Sequence, residues 1–363
     1  MKKITVSLGA RSYDILVGHK IINQLGDVLE KLEIGQDAVV ISNPTIHHLH
    51  GACLHSILSR KGFSVTFKLV PDSERSKSQK VCFDVINKIA AYDVKKRIFI
   101  IAFGGGVIGD LAGFVASVYK RGIPYIQIPT TFLAQVDSAI GGKTGIDLHM
   151  GKNLIGSIYQ PRLVLSDSSF LMSLSLRQIR NGLAEVIKYG VIKDPKLFEY
   201  VEKNYKDILK LKIEPLENIV YACSQIKARV VETDETDTSG KRAMLNFGHT
   251  IGHAIEAAVC YTKEYSHGEA VSIGMVCASE IAFKLGILKR SDKKRLEDIL
   301  SNVGLPVSCS GLRVEDIMHA QSHDKKFIHG KNRFILPKKI GSVIIKEDIP
   351  VKLIESILKS RIK

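Results

Sequence analysis

A chain of 363 residues exceeds what one ordinary hydrophobic core fills, so two domains are the natural expectation. Hydrophobic content of 45% against 25% charged residues, with only 10 prolines, excludes a disordered protein. The net charge of +15 admits an anionic partner. Its lysines are scattered, however, and no aromatic residues interleave with a basic stripe, so a small phosphorylated acid is favoured over nucleic acid.

The opening run MKKITVSLGARSYDILVG alternates like a pair of strands and lacks the apolar block of a signal peptide. Strands are then predicted at AVVIS (38–42), FSVTFKLV (63–70), RIFIIAF (97–103) and PYIQIP (124–129), with helical patterns near 44–60, 76–92 and 107–120 between them. Such alternation of apolar strands with helices argues for a mostly parallel sheet covered on both faces. Residues 98–119 are almost uncharged, but Asp110 and the glycines at 104, 105, 106, 109 and 113 break them up. A buried strand, turn and helix fits better than a membrane span. Beyond residue 167 helical periods dominate, at 175–193, 195–209, 215–236, 244–260, 268–286, 291–302 and 350–361, interrupted by a hairpin pattern at 334–346. The expected fold is therefore an atypical Rossmann-like α/β domain over 1–167 followed by a mainly α-helical domain over 168–363. Cysteines at 53, 82, 223, 260, 277 and 309 form no close pair and read as buried thiols of a reducing cytoplasm.

Three groups of residues carry chemistry. After the strand at 98–103, Gly104, Gly106 and Gly109 fit GxGxxG opening a helix, the context in which helix N-terminal amides cradle a diphosphate. The acidic residue of the full dinucleotide fingerprint is missing, since the next strand ends in Thr130 and Thr131. A second glycine-rich stretch, DSAIGGKTGIDLHMGKNLIG (137–156), fails the spacing of an NTPase phosphate loop. It reads as a flexible loop in which Lys143, Lys152 and Asn153 suit a phosphate, with Asp137 available to a hydroxyl.

The third group is helical. His249 and His253 sit at i and i+4 in NFGHTIGHAIE and share a face. His267 and Glu269 follow, and NGLAEVIKYG places Glu185 and Lys188 at i and i+3 among apolar neighbours. Buried polar groups need partners, and two imidazoles with one carboxylate leave a fourth position of a zinc ion open, the pattern of a catalytic metal. Lys227, Arg242 and Asn246 add cations and an amide, Arg242 as a bidentate clamp for a carboxylate.

The strings GGGVIGDLAGFVAS, RGIPYIQIPTTFLAQVDSAIGGKTGID, GKNLIG, NGLAEVIKYG, LNFGHTIGHAIE, HGEAVSIGM and DKK resemble, in order and over nearly the whole chain, the 3-dehydroquinate synthase family of sugar-phosphate cyclases. The resemblance implies homodimers with an NAD-binding α/β domain, a helical domain, and an active site in the cleft between them. It also implies conversion of 3-deoxy-arabino-heptulosonate 7-phosphate to 3-dehydroquinate and phosphate, step two of the shikimate pathway. The route it implies is transient oxidation by NAD, β-elimination, reduction and intramolecular aldol closure. Carried over onto this sequence, the ligands of one zinc or cobalt ion are Glu185, His249 and His267. Asp137, Lys143, Lys188 and His253 fall to catalysis. Substrate binding falls to Arg121, Lys152, Asn153, Lys227, Arg242, Asn246 and one of Lys325 and Lys326, with Arg121 reaching across the dimer in some members. NAD is implied along Glu74, Arg75, Ser76 and Lys77, along Gly105, Gly106, Val107, Ile108, Gly109 and Asp110, and at Thr130 and Thr131. Lys143, Lys152 and the segment Phe170, Leu171, Met172 and Ser173 complete its implied contacts. Asn43 departs from the family's aspartate at the adenosine ribose. The rival readings are a sibling cyclase, making 2-deoxy-scyllo-inosose or valiolone, and a metal-dependent polyol dehydrogenase; neither calls for the full set of phosphate and carboxylate groups.

Overall fold

The computed structural model describes residues 1–148, 151–259, 264–322 and 332–362, and the chain divides into two compact units. The first takes Met1–Leu174 together with Leu216–Thr236, and the second takes Ser175–Pro215 with Asp237–Lys363. A helical segment far along the chain thus packs with the α/β unit.

In the first unit, β1 (Lys2–Val6), β2 (Tyr13–Gly18), β3 (Asp37–Ser42), β4 (Ser64–Leu69), β5 (Ile98–Gly104), β6 (Tyr125–Pro129) and β9 (Leu163–Asp167) form one sheet. The remaining strands of the unit, β7 (Lys143–Leu148) and β8 (Gly151–Ile158), form a separate two-stranded sheet, with one further bridge from Asp147 to Ser78. The sheet order is β1-β2-β9-β6-β5-β3-β4, antiparallel only where β1 meets β2. Unbroken apolar strands follow from cover on both faces. Phe99, Ile101 and Phe103 of β5 enter one core with Val40, Ile126 and Leu165, while Ile100 and Ala102 enter the other with Val39, Ile41 and Leu111. Burying each such large side chain contributes about 1.5–3 kcal/mol.

Strand order also locates the binding crevice. From β3 the chain runs outward to β4, whereas from β5 it runs the other way to β6. Open parallel sheets bind ligands outside the carboxyl ends of strands at such a switch. Here those ends carry Ser42–Asn43 and the glycine turn at 104–106, which opens helix α1 (Gly106–Val118).

The sequence predicted the opening pair β1 and β2 and the four strands β3 to β6, and missed β9. It also read 137–156 as a flexible loop, and this is corrected: β7 and β8 form an antiparallel ribbon packed on α1. Its five glycines hid the pattern, yet two of them make the ribbon possible. A side chain on Gly145 or Gly156 would strike the backbone of the facing strand. The expectation of uniformly buried thiols is corrected for Cys53, which is exposed, whereas Cys82, Cys223, Cys277 and Cys309 are buried.

The second unit is helical, with one hairpin of β10 (Arg333–Lys339) and β11 (Ser342–Glu347) where the alternation had placed it. Helix α2 (Leu176–Ile192) starts at a capping box of Ser175 and Gln178. Helices α3 (His249–Ala258) and α4 (His267–Lys284) pack with their backbones in near contact. Gly248, at φ +79°, faces Val271 and Met275, Gly252 faces Ala270, and Gly274 lies against the Gly248 carbonyl. The pairing 248 with 274 and 252 with 270 makes the two helices antiparallel, and it brings the end of α3 to the start of α4. At that start, the Gly268 amide donates to Asn181 of α2 at 2.5 Å. Gly274→Ala forces these backbones apart. It is expected to lower stability by about 1–3 kcal/mol or more and to weaken metal binding, as measured by thermal melts and zinc titration; a wild-type melting temperature would contradict the contact.

Candidate metal centre and nucleotide site

Glu185 lies one turn past Asn181 on α2, His249 is the first residue of α3, and His267 is the first residue of α4. The contacts just described therefore bring all three together. Glu185 Oε1 is 3.4 Å from His267 Nε2 and 3.7 Å from His249 Nε2. A tetrahedral zinc ion with nitrogen and oxygen ligands separates its donor atoms by about 3.3 Å, so these spacings fit one ion without rebuilding. Glu185 is 0% exposed, and a buried carboxylate demands positive charge. Lys188 also reaches it along α2.

The imidazoles are turned correctly. His249 Nδ1 lies 3.0 Å from the carbonyl of Phe247, which can only accept, so Nδ1 carries the hydrogen and Nε2 keeps its lone pair. His267 Nδ1 lies 3.2 Å from Glu256 Oε2. Burial opposes charge on His267, but hydrogen bonds with Glu185 and Glu256 outweigh it and push the ring up to about 10. The same negative field suits a divalent cation. His253 completes the histidine group, its ring centroid 5.1 Å from that of His249 and 6.2 Å from that of His267. Arg242 is buried and Asn246 half-buried in the short helical turn Lys241–Asn246 before α3.

Sequence reading placed Glu269 with the histidines, and this is corrected. Glu269 caps α4 through the Ser266 amide at 2.7 Å and pairs with Arg177 at 2.7 Å. The spacing Ser266-x-x-Glu269 is a capping-box signature and held that answer already. Glu256 was overlooked, although its position at i+3 from His253 and i+7 from His249 puts it on the same helix face.

In the first unit the glycine turn is built for close approach. A side chain on Gly106 would meet Ser138 Oγ, and one on Gly109 would meet Gln127. Next to this turn, among the described residues, the buried hydroxyls of Thr130 and Ser138 have no hydrogen-bond partner, so a diphosphate on the amides of α1 would meet donors on its flanks. Ser138 is a residue the sequence did not single out. Asn43 caps the turn after β3 through the Ile46 amide and donates to Asp72 Oδ1 at 2.9 Å. A carboxylate thus stands beside position 43 all the same, that of Asp72 after β4, another residue not foreseen. Phe170 and Leu171 are core residues, whereas Met172 is 40% exposed.

Lys77 ties this region together. Its ammonium meets Asp110 Oδ2 at 2.8 Å and the Asn153 amide oxygen, with Glu74 at 3.7 Å and Asp147 at 3.9 Å. Burial opposes its charge, but Asp110, Glu74 and Asp147 together hold its pKa above the ordinary lysine value. Lys152 stands 3.9 Å from Glu74, and Asn153, at φ +54°, accepts its fold from Asp147, whose carboxylate takes the Asn153 amide hydrogen at 2.8 Å. Asp137 sits on a π-type turn, Ala134–Ser138, and binds Lys227 at 2.5 Å. Lys143 opens β7 and is exposed, as is Arg121, which has φ +64°. Lys325 and Lys326 lie outside the described residues.

Comparison with known proteins agrees with this geometry. The family model for the 3-dehydroquinate synthase N-terminal region matches residues 67–181, and that for the C-terminal region matches 182–327. A 3-dehydroquinate synthase of Pelotomaculum thermopropionicum is 43% identical over 350 residues, covering 96% of this chain and 94% of that protein. Among solved structures, the 2-epi-5-epi-valiolone synthase ValA of Streptomyces hygroscopicus subsp. jinggangensis 5008, with NAD+ and Zn2+ bound, has a TM-score of 0.88 at 27% identity, covering 98% of each chain. A 2-deoxy-scyllo-inosose synthase complexed with carbaglucose-6-phosphate, NAD+ and Co2+ shares the fold, with a TM-score of 0.90 at 24% identity and coverage of 99% and 100%. The fold is that of these sugar-phosphate cyclases. The chain belongs to the 3-dehydroquinate synthase family.

Two outcomes are expected. Glu185→Gln removes the charge at the centre of the histidine group and should abolish tight zinc binding in a folded protein; affinity unchanged in a chelator competition would exclude Glu185 as a ligand. Lys77→Met leaves Asp110 without its cation and unpins the ribbon. A loss of about 2 kcal/mol in unfolding free energy, with weaker NAD binding by calorimetry, is expected; wild-type values of both would rule out the anchor.

Proposed function

We propose that this chain is a 3-dehydroquinate synthase, converting 3-deoxy-arabino-heptulosonate 7-phosphate to 3-dehydroquinate and phosphate with catalytic NAD and one divalent cation, zinc or cobalt. The observation that carries the reading is the Glu185, His249 and His267 cluster, spaced for one ion, in a chain 43% identical to a 3-dehydroquinate synthase over 96% of its length. When bound, the cation supplies Lewis acidity at a substrate hydroxyl and NAD supplies a reversible hydride acceptor.

The residues divide the remaining work. Glu185 and the two imidazoles hold the ion, with the Nδ1 hydrogens turned away so that both lone pairs are available. Arg242, buried and always charged, is suited to the carboxylate of an acidic sugar phosphate. Lys143, Lys152, Asn153 and Arg121 are assigned to anion binding, and Lys188, Asn246 and His253 to the substrate near the metal. Asp137 and Lys227 act as a pair: the ammonium holds the carboxylate in place for a substrate hydroxyl. Glu74–Lys77, Gly105–Asp110 and Thr130–Thr131 are assigned to NAD, with Asp72 and Ser138 added. The proposed domains are 1–167 for the nucleotide and 168–363 for the metal, although Ser168–Leu174 and Leu216–Thr236 pack with the first compact unit. The assigned residues include many cations and few bases, as expected of an enzyme whose main task is to hold one substrate conformer. Two further expectations of the family accompany the reading, a homodimer and a cytoplasmic location, the first checked by light scattering. No helix among the described residues is long and apolar enough to cross a membrane.

The deciding experiment measures phosphate release from the heptulosonate phosphate with NAD far below substrate. Many turnovers per NAD are expected, abolished by chelation and restored by zinc or cobalt. Net accumulation of NADH, or turnover of an uncarboxylated hexose phosphate instead, would point to a dehydrogenase or a sibling cyclase. Arg242→Ala should lower kcat/KM by about 2–4 kcal/mol in transition-state terms, and near-normal kinetics would contradict the carboxylate assignment.

A further inference from the structure

Two sets of potential ligands in the second unit share one ring. Glu185, His249 and His267 offer donor atoms within 4.8 Å of one another, and so do His253, Glu256 and His267. A neutral imidazole presents a lone pair on only one of its two nitrogens. His267 turns Nε2 towards Glu185 at 3.4 Å and Nδ1 towards Glu256 at 3.2 Å. The nitrogen that keeps the hydrogen therefore decides which set can hold an ion.

We propose that Glu256 is a positioning residue that makes this choice: it accepts the Nδ1 hydrogen of His267 and so presents Nε2 to a cation shared with Glu185 and His249. The inference rests on the metal-centre reading proposed above and deepens it. Glu256 is 8% exposed, so water does little to weaken its hold on the ring. Its place is set by the backbone packing of α3 on α4, which carries the end of α3 over the first residue of α4. His249 has the same arrangement with a neutral acceptor, the Phe247 carbonyl on its Nδ1 at 3.0 Å. Both rings thereby offer the same nitrogen, Nε2, to the side where Glu185 stands. Once Nδ1 of His267 is committed to Glu256, the second set has lost that lone pair and no longer competes. Outer carboxylates of this kind change metal affinity by about 10–100-fold.

The test uses the full-length protein stripped of metal. Zinc affinity by chelator competition and the visible spectrum of the cobalt-loaded protein are compared for wild type, Glu256→Ala, Glu256→Gln and Glu185→Gln, with melting curves of the metal-free forms. One ion per chain is expected in wild type and in both Glu256 variants. Zinc binding should weaken about tenfold or more in Glu256→Ala and less in Glu256→Gln, which keeps an acceptor without the charge. The cobalt spectrum should change in both, a signature that a merely structural role would leave alone. If Glu256→Ala does not fold, the Gln variant carries the comparison. Wild-type affinity and spectrum in both folded variants would overturn the proposal. Wild-type affinity in Glu185→Gln with binding lost in Glu256→Ala would overturn it too, by assigning the ion to the second set. Failure of the wild-type protein to bind zinc or cobalt would instead remove the metal-centre reading, and this inference with it.

Discussion

A carboxylate with no exposure to solvent sits at the middle of the helical unit, and the rest of the site is arranged around the need to answer its charge. Glu185 occupies an otherwise apolar stretch of α2, where an ionised side chain left alone would be far too costly to keep. Lys188 meets part of that demand from the same helix. Two imidazoles at 3.4 and 3.7 Å meet the rest only as lone-pair donors to a shared cation or as protonated rings. A site with this much buried polarity is poor at stabilising a fold and well suited to fixing one ion in one place.

Backbone contact delivers that precision. Gly248, Gly252 and Gly274 let α3 and α4 approach until main chain meets main chain. The histidines at the two helix starts then inherit positions set by rigid elements instead of by loops. Asn181 docks the start of α4 on α2, so the carboxylate one turn further on arrives at the same point. Each ring is locked from behind by an acceptor, a carbonyl for His249 and a carboxylate for His267. The first unit follows a comparable logic with different groups. Lys77 joins a turn, a helix and both strands of a ribbon through Glu74, Asp110, Asp147 and Asn153, so these segments are held by one ammonium.

Several parts of this were readable from residue order because they depend on local periodicity. Period-two and unbroken apolar runs marked β3, β4, β5 and β6, and helical periods marked α2, α3 and α4. The His249–His253 spacing and the Glu185–Lys188 spacing each lie within one helix, so shared faces followed directly. Other parts were hidden for identifiable reasons. Five glycines disguised the β7–β8 ribbon as a loop, because close strand approach and loop flexibility ask for the same residue. Glu269 was drawn towards the histidines by proximity along the chain, whereas its carboxylate answers Arg177 and the amide of Ser266. Glu256 went unnoticed because an acid at the end of an amphipathic helix ordinarily faces water.

What the residue order alone determined is the identity of the chemical groups: a carboxylate, three imidazoles, a glycine turn after a buried strand, and scattered lysines with one arginine ahead of a histidine-rich helix. Which of them meet was decided by long-range packing, since the metal cluster joins residues 82 positions apart, and Lys77 finds Asp110 and Asn153 only after three elements have docked. The side chain at position 43 shows the difference most clearly. Its amide looked like a lost charge in the sequence, yet the fold sets Asp72 beside it at 2.9 Å, because β3 and β4 run parallel and their carboxyl-end loops emerge together.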